Sequence, residues 1–263
     1  MKPDRWTCEP LRPIDAITPP AFALPEGLCD AHMHVFGSER DYRPIENARY
    51  DWPAASLDQY LDIADRLAID RIVFVQPSYY GTDNSCMFDL MARVKRPSRA
   101  VVFMPDDPSH SDLDHMHDLG VRGLRLDLFK AADEGRTLAD MEAMLEEAAS
   151  FAAPHGWHVE IYGPGHTTHR LLATLARLPV PVSINHFGYM SEAEGMLDDH
   201  FRDFVAFVGS SDIWVKLTAP YRLKPASAER ASWMAHQLID AAPDRILWGT
   251  DWPHIPQGGL DTG

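Results

Sequence analysis

The sequence is poor in cysteine and lacks long apolar runs. Its three cysteines, Cys8, Cys29 and Cys86, are widely spaced and form no CxxC pair. This pattern predicts free thiols in a reducing compartment rather than a disulfide framework. No apolar run reaches the ~20 residues that a membrane-spanning helix needs, and the opening MKPDRW lacks the apolar stretch of a signal peptide. We therefore expect a cytoplasmic protein without a membrane partner.

Basic residues are also scarce. The 263 residues include 24 Lys and Arg against 39 Asp and Glu, which gives a formal net charge of −15. This balance argues against binding to nucleic acids or anionic membranes, since both depend on clustered cations. A small anionic substrate remains compatible with it, because a few inward-facing arginines can dominate a pocket. The composition suits a monomer or a homo-oligomer equally.

The composition and the apolar periodicity of the sequence change once, after Gly27. Residues 1–27 are rich in proline and show no periodic apolar pattern, which predicts an irregular N-terminal arm. Residues 28–263 alternate between strand-like and helical patterns and are predicted to form one domain. The strand-like runs are Leu28–Phe36, Arg71–Ser78, Arg99–Pro105, Val121–Leu128, Trp157–Gly163, Val180–Gly188, Ile213–Pro220 and Ile246–Pro253.

Eight strands with helices between them predict an α/β fold with parallel topology. The count, and the polar residues that follow nearly every run, favour a closed (β/α)8 TIM barrel over an open doubly wound sheet. Ser56 followed by Gln59 predicts a capping box at the start of the first helix. Because the sequence stops ten residues after the eighth run, we expect the eighth helix to be absent from this chain.

Three of these runs end in residues that can do chemistry. The first ends in DAHMH, and period-two geometry puts His32 and His34 on one face. The sixth ends in INHFG, which adds His186. The eighth ends in WGTDWPH, where Asp251 stands between two tryptophans. A buried carboxylate in such surroundings needs a partner or a function.

These four residues are compatible with two chemistries. They can hold a divalent metal that activates water. Alternatively, Asp251 can act directly as a general base on water, with the imidazoles polarising the carbonyl group under attack.

Over nearly all of residues 28–255 the chain resembles the 2-pyrone-4,6-dicarboxylate lactonase group of the amidohydrolase superfamily. The stretches that carry the resemblance are DAHMHVFG, RIVFVQPSYYGTDN, VRGLRLDLFK, GWHVEIY, INHFG, DIWVKLTAPYRL and ILWGTDWPH. The resemblance implies a hydrolase that opens a small carboxylate-bearing lactone, in the breakdown of aromatic acids.

The resemblance also implies roles for particular residues. Asp251 would be the general base, while His32, His34 and His186 polarise the lactone carbonyl. Six residues occupy positions of substrate binding: Arg125, Arg222, Ser78, Tyr50, Tyr162 and His254. Tyr162 stands at the end of the fifth run, where a metal-using relative would place a further ligand, and this favours a reaction without a metal cofactor. If zinc or manganese binds, its ligands would be His32, His34, His186 and Asp251.

Two positions depart from the pattern of the group. Ala131 and Tyr189 stand where the group has arginines. This departure favours a lactone with one carboxylate, or with a different second polar group. Two alternatives remain open: a metal-dependent decarboxylase or amide hydrolase of the same superfamily, and a non-catalytic barrel that binds small acids.

Overall fold

The computed structural model describes residues 7–8, 11, 20–105, 108–192, 195–223 and 226–255. The chain divides into two compact units: a first unit of Met1–Val121 with Gly249–Gly263, and a second unit of Arg122–Trp248. Most of the predicted arm, residues 1–27, lies outside the described residues. The segment 256–263 also lies outside them. The expectation that no helix follows the eighth strand concerns that segment.

Strands and helices alternate along the chain. The strands are β1 (Cys29–Met33), β2 (Arg71–Val75), β3 (Ser98–Val102), β4 (Val121–Asp127), β5 (His158–Tyr162), β6 (Val182–Ile184), β7 (Trp214–Leu217) and β8 (Ile246–Trp248). The helices are α1 (Leu57–Arg66), α2 (Ser85–Met91), α3 (His110–Asp118), α4 (Leu128–Asp133), α5 (Leu138–Ala152), α6 (Gly165–Leu175), α7 (Asp198–Ser210) and α8 (Ala228–Ala241). Short 3₁₀ turns occupy Ser78–Tyr80, Ala153–His155, His186–Tyr189, Pro220–Arg222 and Pro243–Arg245.

The first unit is built on three parallel strands, with β2 pairing with both β1 and β3. Buried side chains such as Met33, Phe74 and Val101 form its core. The predicted capping box is confirmed, because the Ser56 hydroxyl accepts from the Gln59 amide and the Gln59 side chain accepts from the Ser56 amide. Between Asp30 and Met33 the pairing of β1 with β2 shifts register. Such irregularities are common beside active sites.

The second unit contains five parallel strands, in which β4 to β8 pair as consecutive neighbours. Its strands are rich in buried β-branched and aliphatic residues, including Val159, Ile161 and Val215. Helix α5 adds a buried stripe that contains Met141, Leu145 and Ala148 at helical spacing.

The strands follow one another in the order of the chain, from β1 to β8, with at least one helix in each interval. This is the (β/α)8 arrangement, and the predicted fold class is confirmed. Each predicted run overlaps a strand, and every observed strand ends before its run does; β3 also begins one residue before its run, at Ser98. The predicted sixth and eighth runs both continue into turns, at His186–Tyr189 and after Trp248. Among the described residues, no helix is long and apolar enough to cross a membrane.

Candidate active site

The first unit brings together three of the predicted catalytic residues. The Oδ1 atom of Asp251 lies 3.4 Å from Nε2 of His32 and 3.4 Å from Nε2 of His34. All three side chains are buried. Two imidazole nitrogens therefore meet one oxygen of a single carboxylate.

The hydrogen bonding of His34 indicates what can lie between its Nε2 atom and the Asp251 carboxylate. Its Nδ1 lies 2.8 Å from the carbonyl oxygen of Val75, and a carbonyl can only accept, so Nδ1 carries a proton. In the neutral imidazole, Nε2 then presents a lone pair towards Asp251. Two lone pairs at 3.4 Å do not attract one another, whereas a proton, a water molecule or a cation between them would bind to both.

The spacing also satisfies the geometry of a metal site. Two ligand atoms at about 2.1 Å from a tetrahedral metal lie about 3.4 Å apart. The distances from Asp251 to His32 and to His34 match that value. These three residues of the first unit can therefore either hold a divalent cation or bind and activate a water molecule.

Asp30, which was not predicted from the sequence, fixes the geometry of this group. Its Oδ1 accepts from the backbone amides of His32 and Thr250, both at 3.0 Å. Its Oδ2 accepts from the hydroxyls of Tyr60, at 2.9 Å, and Thr250, at 2.6 Å. One buried carboxylate thus connects β1, α1 and the turn after β8, which are up to 220 residues apart in sequence.

The turn after β8 holds Asp251 in an unusual conformation. Asp251 has φ of 55°, in the left-handed region that costs most residues about 1 kcal/mol or more. Its amide donates to the carbonyl of His32 at 2.8 Å, and the amide of His34 donates to Trp252 at 2.9 Å. At Gly249 an added Cβ would lie 2.6 Å from the His32 amide nitrogen, so this close approach requires glycine.

The surroundings of Asp30 affect its pKa in two directions. Complete burial raises the pKa of Asp30, while the hydrogen bonds from Thr250, His32 and Tyr60 oppose that rise, and the net direction is upward. All four donors are uncharged groups. The carboxylate is therefore held by hydrogen bonds from neutral groups.

The second unit contains His186, the fourth predicted catalytic residue. It follows β6 and is buried. Its Nδ1 lies 2.7 Å from the hydroxyl of the fully buried Thr218, which fixes the plane of the ring. In this respect His186 resembles His34, since each imidazole is oriented through Nδ1.

Buried charges link three strands of the second unit, and an amide side chain adds the end of a fourth. Glu160 on β5 is in direct contact with Lys216 on β7, and its Oε1 lies 3.8 Å from Nε of Arg125 on β4. The Asn185 side chain, at the end of β6, donates to the same oxygen at 2.8 Å. Arg125 also lies over the ring of Tyr162, with its guanidinium carbon 4.9 Å from the ring centroid. This network fixes Arg125, a predicted carboxylate-binding residue.

The remaining predicted binding residues take several positions. In the first unit, Tyr50 is buried and stacks on Tyr79 at 5.4 Å, a packing contact. Ser78 opens the 3₁₀ turn after β2 and is half-buried. The ring Nε2 of His254 donates to the carbonyl of Thr250 at 2.9 Å.

In the second unit, the Arg222 guanidinium lies 5.3 Å from the ring centroid of its neighbour Tyr221.

Three buried charged residues near the site were not predicted from the sequence, although the sequence contained a signal for them. Asp30, Glu160 and Lys216 are charged residues within apolar strands, and all three are almost completely buried. A charge in such a strand is expected to have a partner, because an isolated buried charge is very costly. The pattern therefore indicated that partners exist, but it did not indicate which residues they are.

Residues 29–262 match the family model of the amidohydrolases. The chain belongs to the amidohydrolase family. This confirms the superfamily that the motifs around His32, His186 and Asp251 indicated.

Curated relatives of this amidohydrolase include lactone hydrolases. A 2-pyrone-4,6-dicarboxylate hydrolase from Comamonas testosteroni is 32% identical over 260 residues, covering 92% of this chain and 83% of the relative. A 4-sulfomuconolactone hydrolase from Hydrogenophaga intermedia is 30% identical over 246 residues, covering 93% and 80%. A crystal structure of an Agrobacterium tumefaciens protein, 21% identical, aligns with a TM-score of 0.76 over 89% of this chain and 84% of that chain, and it supports the fold.

Proposed function

We propose that this amidohydrolase opens a small carboxylate-bearing lactone by hydrolysis. The observation that carries the proposal is the buried Asp251 carboxylate, with one oxygen 3.4 Å from Nε2 of both His32 and His34. The relatives described as lactone hydrolases support the choice of substrate class.

In the proposed reaction Asp251 acts as the general base. It removes a proton from a water molecule while the water oxygen bonds to the lactone carbonyl carbon, and the carbonyl electron pair moves onto oxygen. When the carbonyl re-forms, the ring C–O bond breaks and the leaving oxygen takes the proton back from Asp251. The product is an open-chain hydroxy acid, or its keto tautomer, with one more carboxyl group than the lactone. General-base catalysis of this kind contributes about 10²- to 10⁴-fold.

The three imidazoles would stabilise the negative charge that develops on the carbonyl oxygen. His32 and His34 are assigned this role because both face Asp251. Since Nδ1 of His34 donates to Val75, its part in the role requires a second proton, on Nε2. His186 is included because it follows β6, and in the (β/α)8 fold the catalytic groups stand at the carboxyl ends of the strands.

Substrate binding is assigned to arginines and to neutral polar groups. Arg125 and Arg222 would bind the carboxylate, since a planar guanidinium matches it with two parallel hydrogen bonds. Ser78 would add a hydroxyl donor to the same carboxylate. We assign contacts with the remainder of the lactone to Tyr50, Tyr162 and His254. The partner of the protein is then a small anion from the breakdown of aromatic acids.

A cytoplasmic location fits this role. The proposal rests on the sequence, in which Cys8, Cys29 and Cys86 are few, widely spaced and without a CxxC pair. Such a pattern is typical of proteins in reducing compartments.

A metal-dependent reaction is the second candidate, favoured by the tetrahedral spacing around Asp251. His32, His34 and Asp251, with His186 as a fourth ligand, would hold zinc or manganese. The metal would act as a Lewis acid and lower the pKa of a bound water molecule. Decarboxylation or amide hydrolysis would then be alternative reactions.

The test compares Asp251→Asn with the control Asp62→Asn, which changes an exposed aspartate of α1. Both variants are assayed by proton release on a panel of carboxylated lactones, before and after chelation, with metal content measured in parallel. We expect Asp251→Asn to lose about 10²-fold or more of kcat, while Asp62→Asn and the chelated wild type stay active.

Three results would contradict the proposal. Full activity of Asp251→Asn would exclude it as the base. Loss of activity on chelation, restored by zinc or manganese, would favour the metal-dependent alternative. A folded protein that binds aromatic acids but hydrolyses no lactone, ester or amide would be a binding protein.

A further inference from the structure

Three aromatic side chains form a cluster at the carboxyl ends of β4, β5 and β6. The ring of Phe129 lies 4.8 Å from that of Tyr162 and 4.9 Å from that of Tyr189, and the two tyrosine rings are 5.6 Å apart. We call Phe129, Tyr162 and Tyr189 the ring wall. Tyr189 is buried, whereas Phe129 and Tyr162 are half-buried, so part of the wall remains accessible.

The ring wall contacts two residues to which the proposed reaction gives a role. The ring of His186 lies 5.9 Å from that of Tyr162 and 5.6 Å from that of Tyr189. The Arg125 guanidinium carbon lies 4.9 Å from the centroid of Tyr162. A carboxylate bound to Arg125 would therefore place the remainder of its molecule beside these rings. Flat unsaturated molecules pack well on such faces.

The backbone that carries Tyr189 is strained. His186, Phe187, Gly188 and Tyr189 all have positive φ, between 53° and 67°. Each non-glycine residue in this region costs about 1–2 kcal/mol. A turn of this kind persists only when its surroundings impose it, and such turns cluster at functional sites.

Close packing imposes that conformation. A Cβ added to Gly165, at the start of α6, would lie 2.2 Å from the carbonyl oxygen of Tyr189. A Cβ on Gly188 would lie 3.0 Å from the ring of Phe204. Both glycines therefore allow α6 and α7 to press against the turn, and they fix the position of the Tyr189 ring.

The charges near the wall favour a single carboxylate on the substrate. Lys216 and Glu160 are in contact and compensate one another, while Arg125 is the cation stacked on the wall. Asp127, the register partner of Tyr162, adds a negative charge at the end of β4, where it caps α4. A second carboxylate beside the rings would face an apolar surface and a nearby anion, which raises its desolvation cost.

We propose that the ring wall binds the flat face of an unsaturated lactone with one carboxylate, and that Tyr189 determines the discrimination against a second carboxylate. This inference rests on the proposed lactone hydrolysis for its substrate class. It adds the orientation of the ring and a residue that selects between substrates.

The first experiment compares kcat/KM for a flat monocarboxylate lactone and for the same lactone with a second carboxylate on the ring. We expect the wild type to prefer the monocarboxylate by about tenfold or more, because an unpaired buried charge is strongly disfavoured. Tyr189→Phe keeps the ring and should keep the preference, while Tyr189→Arg should reduce it at least fivefold. Leu119→Arg adds the same charge at an exposed position of the first unit and should leave it unchanged.

The second experiment measures binding by calorimetry and does not depend on turnover. The probes are benzoate and isophthalate, flat rings with one and two carboxylates. The wild type should bind benzoate more tightly, and folded Tyr189→Arg should shift the ratio of the two Kd values at least fivefold towards isophthalate.

The outcomes separate the two proposals. If the protein hydrolyses no lactone but binds benzoate more tightly than isophthalate, only the proposed function is overturned. Turnover of lactones with equal or better use of the dicarboxylate would overturn the ring-wall inference. So would binding of neither probe, or a folded Tyr189→Arg with an unchanged ratio in both experiments.

Discussion

The two units of this amidohydrolase each contain a completely buried carboxylate, and the two are stabilised in opposite ways. In the first unit Asp30 accepts four hydrogen bonds from uncharged donors. In the second unit Glu160 contacts the Lys216 ammonium and lies near the Arg125 guanidinium. Burial alone therefore does not determine how a carboxylate behaves.

The pKa values show the difference. Burial raises the pKa of Asp30, and its four hydrogen bonds do not reverse that rise. Burial also raises the pKa of Glu160, but the charges of Lys216 and Arg125 and the hydrogen bonds from Lys216 and Asn185 lower it to about 2. Neutral donors fix geometry, as Asp30 does for the Asp251 turn. Cations fix the charge, as Lys216 does for Glu160.

The largest effect is expected from Lys216→Met. It removes the ammonium but leaves Glu160 buried without its contact cation. Breaking one side of a buried ion pair typically costs about 3–5 kcal/mol, so the free energy of unfolding in urea should fall by that amount.

The double variant Lys216→Met/Glu160→Gln is the matched control. It removes both charges, and we expect it to recover at least half of the lost stability, because a neutral pair no longer carries an uncompensated charge. Equal free energies of unfolding for the single and double variants would contradict the comparison. They would show that Glu160 does not depend on a cation any more than Asp30 does.

The next effect concerns acid stability. The pKa of Glu160 is lowered from its usual 4.5 to about 2 in the folded protein, so its charged form stabilises the fold above about pH 4.5. That contribution, on the order of 3 kcal/mol, should be lost as the pH falls from 4.5 through 2. Urea unfolding at several pH values should show this loss in the wild type and not in Lys216→Met/Glu160→Gln. Parallel curves for the two proteins would mean that Glu160 titrates normally.

Asp30→Asn should have a smaller effect on stability but a distinct effect on turnover. The amide keeps one acceptor oxygen for four donors, which should lower the free energy of unfolding by about 1–3 kcal/mol. Because the Asp251 turn loses part of its support, kcat should fall about tenfold or more, with KM less affected. The control is Asp58→Asn, on the exposed face of α1. Wild-type kcat in Asp30→Asn would show that Asp30 does not position the base.

The smallest effect is expected from Tyr60→Phe. It removes one of the four donors to Asp30, a buried hydrogen bond of 2.9 Å, and should cost about 1 kcal/mol. Tyr42→Phe removes a similar bond, 2.7 Å long, to Asp89 at the surface. The melting temperature should fall further for Tyr60→Phe, and equal shifts would mean that burial does not strengthen the Asp30 group.

Much of the fold could be predicted from the sequence, because strands and turns depend on patterns among residues that are close in the chain. All eight apolar runs overlap a strand, and the Ser56–Gln59 cap forms as predicted. The ends of the runs were less readable. Turns such as 186–189 contain hydrophobic residues that continue an apolar pattern, although their backbone leaves the strand.

For the site, the sequence determined which residue types stand after β1, β6 and β8, and hence the candidate chemistry of His32, His186 and Asp251. Only the tertiary structure decided how those groups are held. The four donors of Asp30, the Lys216–Glu160 contact and the rings around Tyr189 join residues that are far apart in the chain. Hydrogen bonds and ring contacts depend on distances of a few ångström, which the packing of strands and helices sets and which no local pattern contains.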